Sequence, residues 1–257
     1  MDIIKLRLTK RCNLRCSYCS WYSNDSKDRG FMPPDVVKDV SSKYPGARYY
    51  IYGGEPTLHP QFNHILDILK NSECNIQSNG TLLHKLELDL NPKHKFSISI
   101  HDNFNIISKE IFKLKSIGAL ESVDIMCTRD NVYRSLKLYH TLRKLLPINI
   151  QNIFEDADYL AKLTGGCQNN TVVFNDQLLS INEMLGKNIS FKGWNCACGK
   201  TQMMVDHLGC MHRCDMYADA GVPSNISQTC EVCDMDRCYE FWAKRCSGSD
   251  CVYSIDC

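Results

Sequence analysis

The chain has 257 residues, of which 44% are hydrophobic and 23% charged, with 30 Lys and Arg against 29 Asp and Glu for a formal charge of +1. That balance excludes low-complexity disorder, and it supplies no uncompensated cationic surface of the kind that holds nucleic acid or an anionic membrane. No apolar run approaches the roughly 20 residues of a bilayer span, and the start Met1-Asp2-Ile3-Ile4-Lys5 lacks signal-peptide character, so a cytoplasmic chain without membrane or nucleic-acid partners is expected.

In chain order, a first apolar strand pattern covers residues 4–8, and Cys12, Cys16 and Cys19 follow it directly with C-x3-C-x2-C spacing. A helix pattern over 34–43 leads to a strand at 49–52, which ends in Gly53-Gly54-Glu55-Pro56. A helix over 61–71 precedes a third strand at 74–77, closed by Ser78-Asn79-Gly80-Thr81. A weaker helix pattern at 82–90 precedes the strand at 96–100, which contains Ser99 and runs into His101-Asp102. Ile107, Ile111, Leu114 and Ile117 recur at the spacing of one helix face within 105–117. A strand at 123–127, a helix at 132–146 and a strand at 148–153 complete the series. Such alternation predicts parallel strands joined by helical crossovers, hence an α/β sheet or an open barrel, with its chemistry in the loops after the strands.

Sixteen cysteines exceed what packing uses, and in a reducing compartment they point to metal. Three thiolates spaced as Cys12, Cys16 and Cys19 can hold three irons of a cubane and leave the fourth open. A zinc loop completed by His59 or a distant cysteine uses the same residues. Ten more cysteines lie from Cys196 to Cys257, while Cys74, Cys127 and Cys167 are isolated and read as buried small hydrophobes. Residues 154–192 read as a connection with helices around 156–163 and 178–185, separated by Gly165-Gly166. Asp156, Asp158, Glu183 and Asp206 are carboxylates that could serve as a base, although each also reads as solvated surface.

The loop from Cys12 to Cys19, with aromatic Tyr18 before its last cysteine, resembles the signature loop of radical S-adenosylmethionine (SAM) enzymes. Gly53-Gly54-Glu55-Pro56 is similar to that family's GGEP motif, and Ser78, Asn79 and Ser99 stand where the family places SAM contacts. The resemblance implies a partial (β/α)6 TIM-like barrel over 1–154. It also implies a [4Fe-4S] cluster on Cys12, Cys16 and Cys19, and a SAM site formed by Tyr18, Gly53, Gly54, Glu55, Pro56, Ser78, Asn79 and Ser99. In such enzymes an electron from the cluster breaks the S to C5′ bond of SAM, and the 5′-deoxyadenosyl radical so released takes hydrogen from a substrate.

Residues 194–257 resemble the SPASM and twitch extensions of the same family, a small cysteine-rich hairpin and helix module, with 155–193 as a bridge. Residues 202–206, the turn His207-Leu208-Gly209 and the return to Cys214 read as the hairpin. The following Cys230-x2-Cys233-x4-Cys238-x7-Cys246 departs from the SPASM spacing, one residue short before Cys238 and four long before Cys246. The resemblance therefore implies one or two auxiliary [4Fe-4S] clusters, drawn from Cys196, Cys198, Cys214, Cys230, Cys233, Cys238, Cys246 and Cys251. Cys210 and Cys257 are weaker candidates. Strand one begins almost at Met1, so no leader-binding domain is expected ahead of the barrel. The implied activity is modification of a peptide or protein residue, with small-molecule dehydrogenation or rearrangement as the alternative and a reductase such as flavodoxin or ferredoxin as partner. A non-catalytic iron-sulfur or zinc module is the reading from another class.

Overall fold

The computed structural model describes residues 1–19, 30–86, 91–153, 157–164, 168–169, 171–174, 177–180, 198 and 201–214. Its elements run β1 (Ile3–Arg7), α1 (Pro34–Lys43), β2 (Arg48–Tyr52), α2 (Phe62–Ile68), β3 (Cys74–Ser78), β4 (His94–Ile100), α3 (Phe104–Ser116), β5 (Leu120–Cys127), α4 (Val132–Leu142) and β6 (Ile148–Asn152). They continue with α5 (Ala157–Thr164), β7 (Gln168–Asn169), β8 (Thr171–Phe174), β9 (Gln177–Ser180), β10 (Gln202–Val205) and β11 (Met211–His212). Each of the six expected strands is present, and the expected crossover helices are α1 to α4. The fold class is α/β with parallel strands, of the partial (β/α)6 TIM-like kind that was expected. The weak pattern at 82–90 shortens to a 3-10 turn at Leu83–Lys85, and its residues 87–90 lie outside the described ones.

Two compact units divide the chain, Met1–Glu121 with Gly199–Gln228 and Ser122–Cys198 with Thr229–Cys257. In the first, the strands lie in the order β11-β10-β1-β2-β3-β4. All are parallel except β11, so the C-terminal ends of β1 to β4 share one edge. Register pairs Leu6 with Ile51, Ile51 with Ile76, and Ile76 with Phe96, which stacks one apolar row across the sheet. Helix residues Val37, Ile65, Ile107 and Ile111 are buried with that row. On β4 the buried set His94, Phe96, Ile98 and Ile100 alternates with half-buried Lys95, Ser97 and Ser99, the period-two signature of a strand with two unlike faces. The second face is polar along β1 as well, where buried Lys5 and Arg7 alternate with Ile4, Leu6 and Leu8 in sequence and each has a partner.

In the second unit, β5, β6 and β7 are parallel, with Ile125 beside Ile150. There the structure corrects the expected helix at 178–185. Residues 177–180 are strand β9, antiparallel to β8, because Thr171-Val172-Val173-Phe174 is a β-branched and aromatic run that needs a ladder partner. Residues 181–185 and Gly165-Gly166 lie outside the described residues.

The hairpin expected in the C-terminal module is present as β10 and β11, and it lies in the first unit because β10 pairs parallel with β1. Every residue of β10 is buried, which a free-standing hairpin could not achieve. Cys74 and Cys127 are buried as expected, and burial pushes the Cys74 thiol up to about 12. Cys167 lies outside the described residues.

Phe96 is completely buried whereas Ile106 is 76% exposed. Phe96→Ala is expected to lower stability by about 3–5 kcal/mol, and Ile106→Ala by less than about 0.5 kcal/mol, both read by chemical denaturation.

Candidate metal centre

The loop after β1 is joined to the strand end after β2 by main-chain bonds that prolong the ladder. The Leu8 N–H donates to the Tyr52 carbonyl at 2.9 Å, the Gly54 N–H to the Thr9 carbonyl at 2.9 Å, and the Glu55 N–H to the Arg11 carbonyl at 2.7 Å. A Cβ on Gly53 would stand 2.3 Å from the Thr9 carbonyl oxygen, and one on Gly54 would stand 2.1 Å from that of Arg11. The close approach that these glycines permit is thus made by the chain's own loop. Two bonds later the loop reaches Cys12.

Glu55 is buried and caps the 3-10 turn Pro56–Leu58. Its Oε1 accepts from the Thr57 N–H at 3.1 Å, the Thr57 hydroxyl, and the Ser78 hydroxyl at 2.9 Å. Its Oε2 accepts from the Asn79 N–H at 2.8 Å. Burial pushes this carboxyl above the usual range while the four donors oppose the shift. One carboxylate therefore ties the end of β2 to the end of β3.

Asn79, so anchored, reaches the cysteine loop. Its Nδ2 donates to Asn13 Oδ1 at 2.9 Å and lies 3.9 Å from Cys12 Sγ. Thr81 closes the ring, its N–H donating to Asn79 Oδ1 at 3.0 Å while its hydroxyl oxygen accepts from Asn13 Nδ2 at 2.8 Å. Asn103, at the start of α3, donates to the Asn79 carbonyl at 3.3 Å and accepts the His101 N–H at 2.9 Å. Ser99 is half-buried on the same face of β4 as Ser97.

The three thiols of the loop are half-buried and none is in a disulfide. Burial raises the Cys12 and Cys16 thiols above their ordinary value. Negative charge on Cys16, Cys19 and Glu55 raises Cys12 further, and charge on Cys19 raises Cys16. The Leu14 N–H, 3.4 Å from Cys12 Sγ, works in the opposite direction. Among the described residues no three His, Cys, Asp or Glu side chains converge on a point that would hold a single metal ion. His59 does not complete a zinc site, since its Nε2 bonds the Met32 carbonyl at 2.8 Å and its Nδ1 accepts the Gln61 N–H at 3.0 Å. A cubane fits the loop better, because it spaces its thiolates on separate irons and leaves room for mutual repulsion to be offset by metal charge.

One group at this edge exceeds what the sequence suggested. His101, at the end of β4, places Nδ1 2.8 Å from the Tyr18 hydroxyl and 3.4 Å from Cys16 Sγ. The two rings stack with centroids 5.9 Å apart and planes within 10°. Burial holds the His101 imidazole down, to about 4, and pushes the Tyr18 hydroxyl up. Asp102 follows in the left-handed region with φ of 61°, a turn that few side chains adopt. A strand-end His-Asp pair was visible in the sequence, but its partner lies 83 residues away.

Of the C-terminal candidates, Cys198 and Cys214 are buried, whereas Cys210 is exposed. Cys196, Cys230, Cys233, Cys238, Cys246, Cys251 and Cys257 lie outside the described residues, as do Asp156 and Glu183. The Asp206 carboxylate is committed to the hairpin: it accepts the Leu208 and Cys210 N–H groups at 2.9 Å and pairs with His212 Nε2 at 2.9 Å. Those donors and His212 hold it below the usual carboxylate range, against the opposing push of burial.

The sequence family described as the Radical SAM superfamily matches residues 6–147. A probable GTP 3′,8-cyclase of Methanocaldococcus jannaschii is 25% identical over 127 residues, 47% of this chain and 42% of that protein. The antilisterial bacteriocin subtilosin biosynthesis protein AlbA of Bacillus subtilis is 29% identical over 109 residues, 40% of this chain and 24% of that protein. The chain thus spans less than half the length of either relative. The crystal structure of Streptococcus suis SuiB bound to precursor peptide SuiA is similar in fold, with a TM-score of 0.61 at 13% identity over 89% of this chain and 63% of that one.

Gly54→Ala is expected to cost about 3 kcal/mol or more through the Arg11 clash, seen as a fall of roughly 6–12 °C in Tm. Metal must displace the protons of thiols whose ionisation is suppressed. Iron uptake by the loop should therefore rise with pH between about 7 and 9, measured as the rate of cluster assembly. A pH-independent rate would contradict the raised thiols.

Proposed function

Since the chain belongs to the radical SAM superfamily, an enzyme family whose cofactors are a [4Fe-4S] cluster and SAM, we propose that it is a member that modifies a peptide or protein residue. The observation that carries the reading is the convergence of the cysteine loop, Glu55 and Asn79 at the shared C-terminal edge of β1 to β3. The peptide assignment is supported by SuiB, similar over 89% of this chain and bound to a precursor peptide, and by AlbA, a bacteriocin biosynthesis protein. A second reading, chemistry on a nucleotide or other small molecule, is favoured by the GTP 3′,8-cyclase match.

In this reading Cys12, Cys16 and Cys19 would hold the cluster, each through its thiolate. When bound, cluster and SAM would supply radical hydrogen-abstraction chemistry. The chain's own residues bind and orient. Gly53, Gly54 and Pro56 present the backbone at the strand end, while buried Glu55 holds Ser78 and Asn79 in place from below. Asn79, through Asn13 and Thr81, fixes the loop that carries Cys12. Tyr18 and Ser99 complete the rim, and the half-buried polar face of β4 continues from it. Such fixed positioning holds reacting atoms in line without further reorganisation.

The domain plan follows: a barrel over 1–154, a bridge over 155–193, and a cluster module over 194–257 whose hairpin is added to the barrel sheet. Cys196, Cys198, Cys214, Cys230, Cys233, Cys238, Cys246 and Cys251 hold one or two auxiliary clusters there. An external reductase of the flavodoxin or ferredoxin type supplies electrons.

Anaerobic reconstitution with SAM and dithionite should yield 5′-deoxyadenosine by chromatography, and Cys16→Ala should fall to the background of iron-free protein. About eight or twelve irons per chain are expected, with about four lost when Cys12, Cys16 and Cys19 are all replaced by Ala. A chain that binds iron yet makes no 5′-deoxyadenosine is the non-catalytic module instead. Stimulation of 5′-deoxyadenosine by GTP, and not by a peptide fraction, would favour the second reading.

A further inference from the structure

We propose that Tyr18 and His101 form a hydrogen-bond relay onto the Cys16 sulfur that sets the reduction potential of the cluster held by the loop. The inference rests on the proposed function, in that Cys16 is taken as an iron ligand. As a ligand, Cys16 is a thiolate and can only accept hydrogen bonds. Two donors stand beside it. His101 Nδ1 is 3.4 Å from its sulfur and 2.8 Å from the Tyr18 oxygen. The Tyr18 hydroxyl is itself a hydrogen-bond partner of the Cys16 sulfur. With the proton on Nδ1, the imidazole donates to the Tyr18 oxygen and the hydroxyl hydrogen is free to donate to Sγ, a chain in which each bond polarises the next.

The arrangement is held from behind. The stacked rings, 10° from parallel, limit Tyr18 to one orientation over His101. The His101 N–H is fixed on Asn103 Oδ1 at 2.9 Å, and Asn103 is in turn fixed on the Asn79 carbonyl at 3.3 Å. Asp102 at φ of 61° makes the turn that points His101 back toward the loop. Cys12 has a different environment, with the Leu14 N–H at 3.4 Å and the Asn79 amide at 3.9 Å. At Cys16 two side-chain groups, from Tyr18 and His101, combine.

Donors to an iron-bound thiolate withdraw electron density from sulfur and stabilise the more negative, reduced cluster, which raises its potential. Removing the relay should make reduction harder. The experiment is an anaerobic potentiometric titration of the full reconstituted chain, following the electron paramagnetic resonance signal that changes when SAM is added. That response separates the loop cluster from any other.

Tyr18→Phe deletes one oxygen, and it should keep the iron content while lowering the reduced-to-oxidised ratio at fixed poise about tenfold, which for one electron is about 59 mV. His101→Ala should shift the same way. His101→Asn, whose Nδ2 stands near the place of Nδ1, should move back toward wild type. Equal midpoints for wild type, Tyr18→Phe and His101→Ala at equal iron would overturn the relay. So would a His101→Asn variant that stays at the His101→Ala value, since the shift would then reflect packing alone. A wild-type chain with no SAM-responsive signal would overturn the functional reading, and the relay with it.

Discussion

The buried carboxylate of Glu55 is the constraint on which the candidate site depends. It sits 1% exposed among four donors from Thr57, Ser78 and Asn79. An ionised group in such a place is tolerated only when its lone pairs are occupied, and here the hydrogen bonds that satisfy it also lock two strand ends together. Without it the 3-10 turn loses its cap and Asn79 loses the bond that aims its side chain at Asn13. The chemistry at this edge is assembled through backbone and amide groups, so a single misplaced strand end displaces the cysteine loop.

The glycines before Glu55 serve the same end from the other side. Glycine is required where the loop backbone crosses at less than a normal Cβ contact distance, as the 2.1 Å that would separate a Cβ on Gly54 from the Arg11 carbonyl oxygen shows. A ladder of main-chain bonds then carries the loop outward to Cys12. The half-buried Cys12 and Cys16 thiols, whose ionisation burial suppresses, are poor ligands until metal displaces their protons. Tyr18 of the same loop meets His101, from the end of β4, beside Cys16, so the surroundings of that thiol come from two distant stretches of chain.

Much of this was legible in the sequence because its signals are local. Strand and helix alternation reports on residues a few positions apart, and the six strands stand where their apolar runs lie. The failures have equally physical causes. Residues 178–180 satisfy a helix pattern but pair as β9, since the partner run Thr171-Val172-Val173-Phe174 decides the matter. Residues 202–205 read as a hairpin arm, and nothing in their composition says that they lie beside β1.

By itself the sequence determined the alternation of elements, the placing of Cys12, Cys16 and Cys19 after the first strand, and the glycine pair after the second. These are matters of spacing and conformational freedom along one stretch of chain. Tertiary structure alone decided that Glu55 faces inward to Ser78 and Asn79, that His59 is consumed by Met32 and Gln61, and that His101 meets Tyr18 and Cys16. The physical reason is that a side chain's role depends on which donors and acceptors surround it, and parallel crossovers bring those partners from tens of residues away.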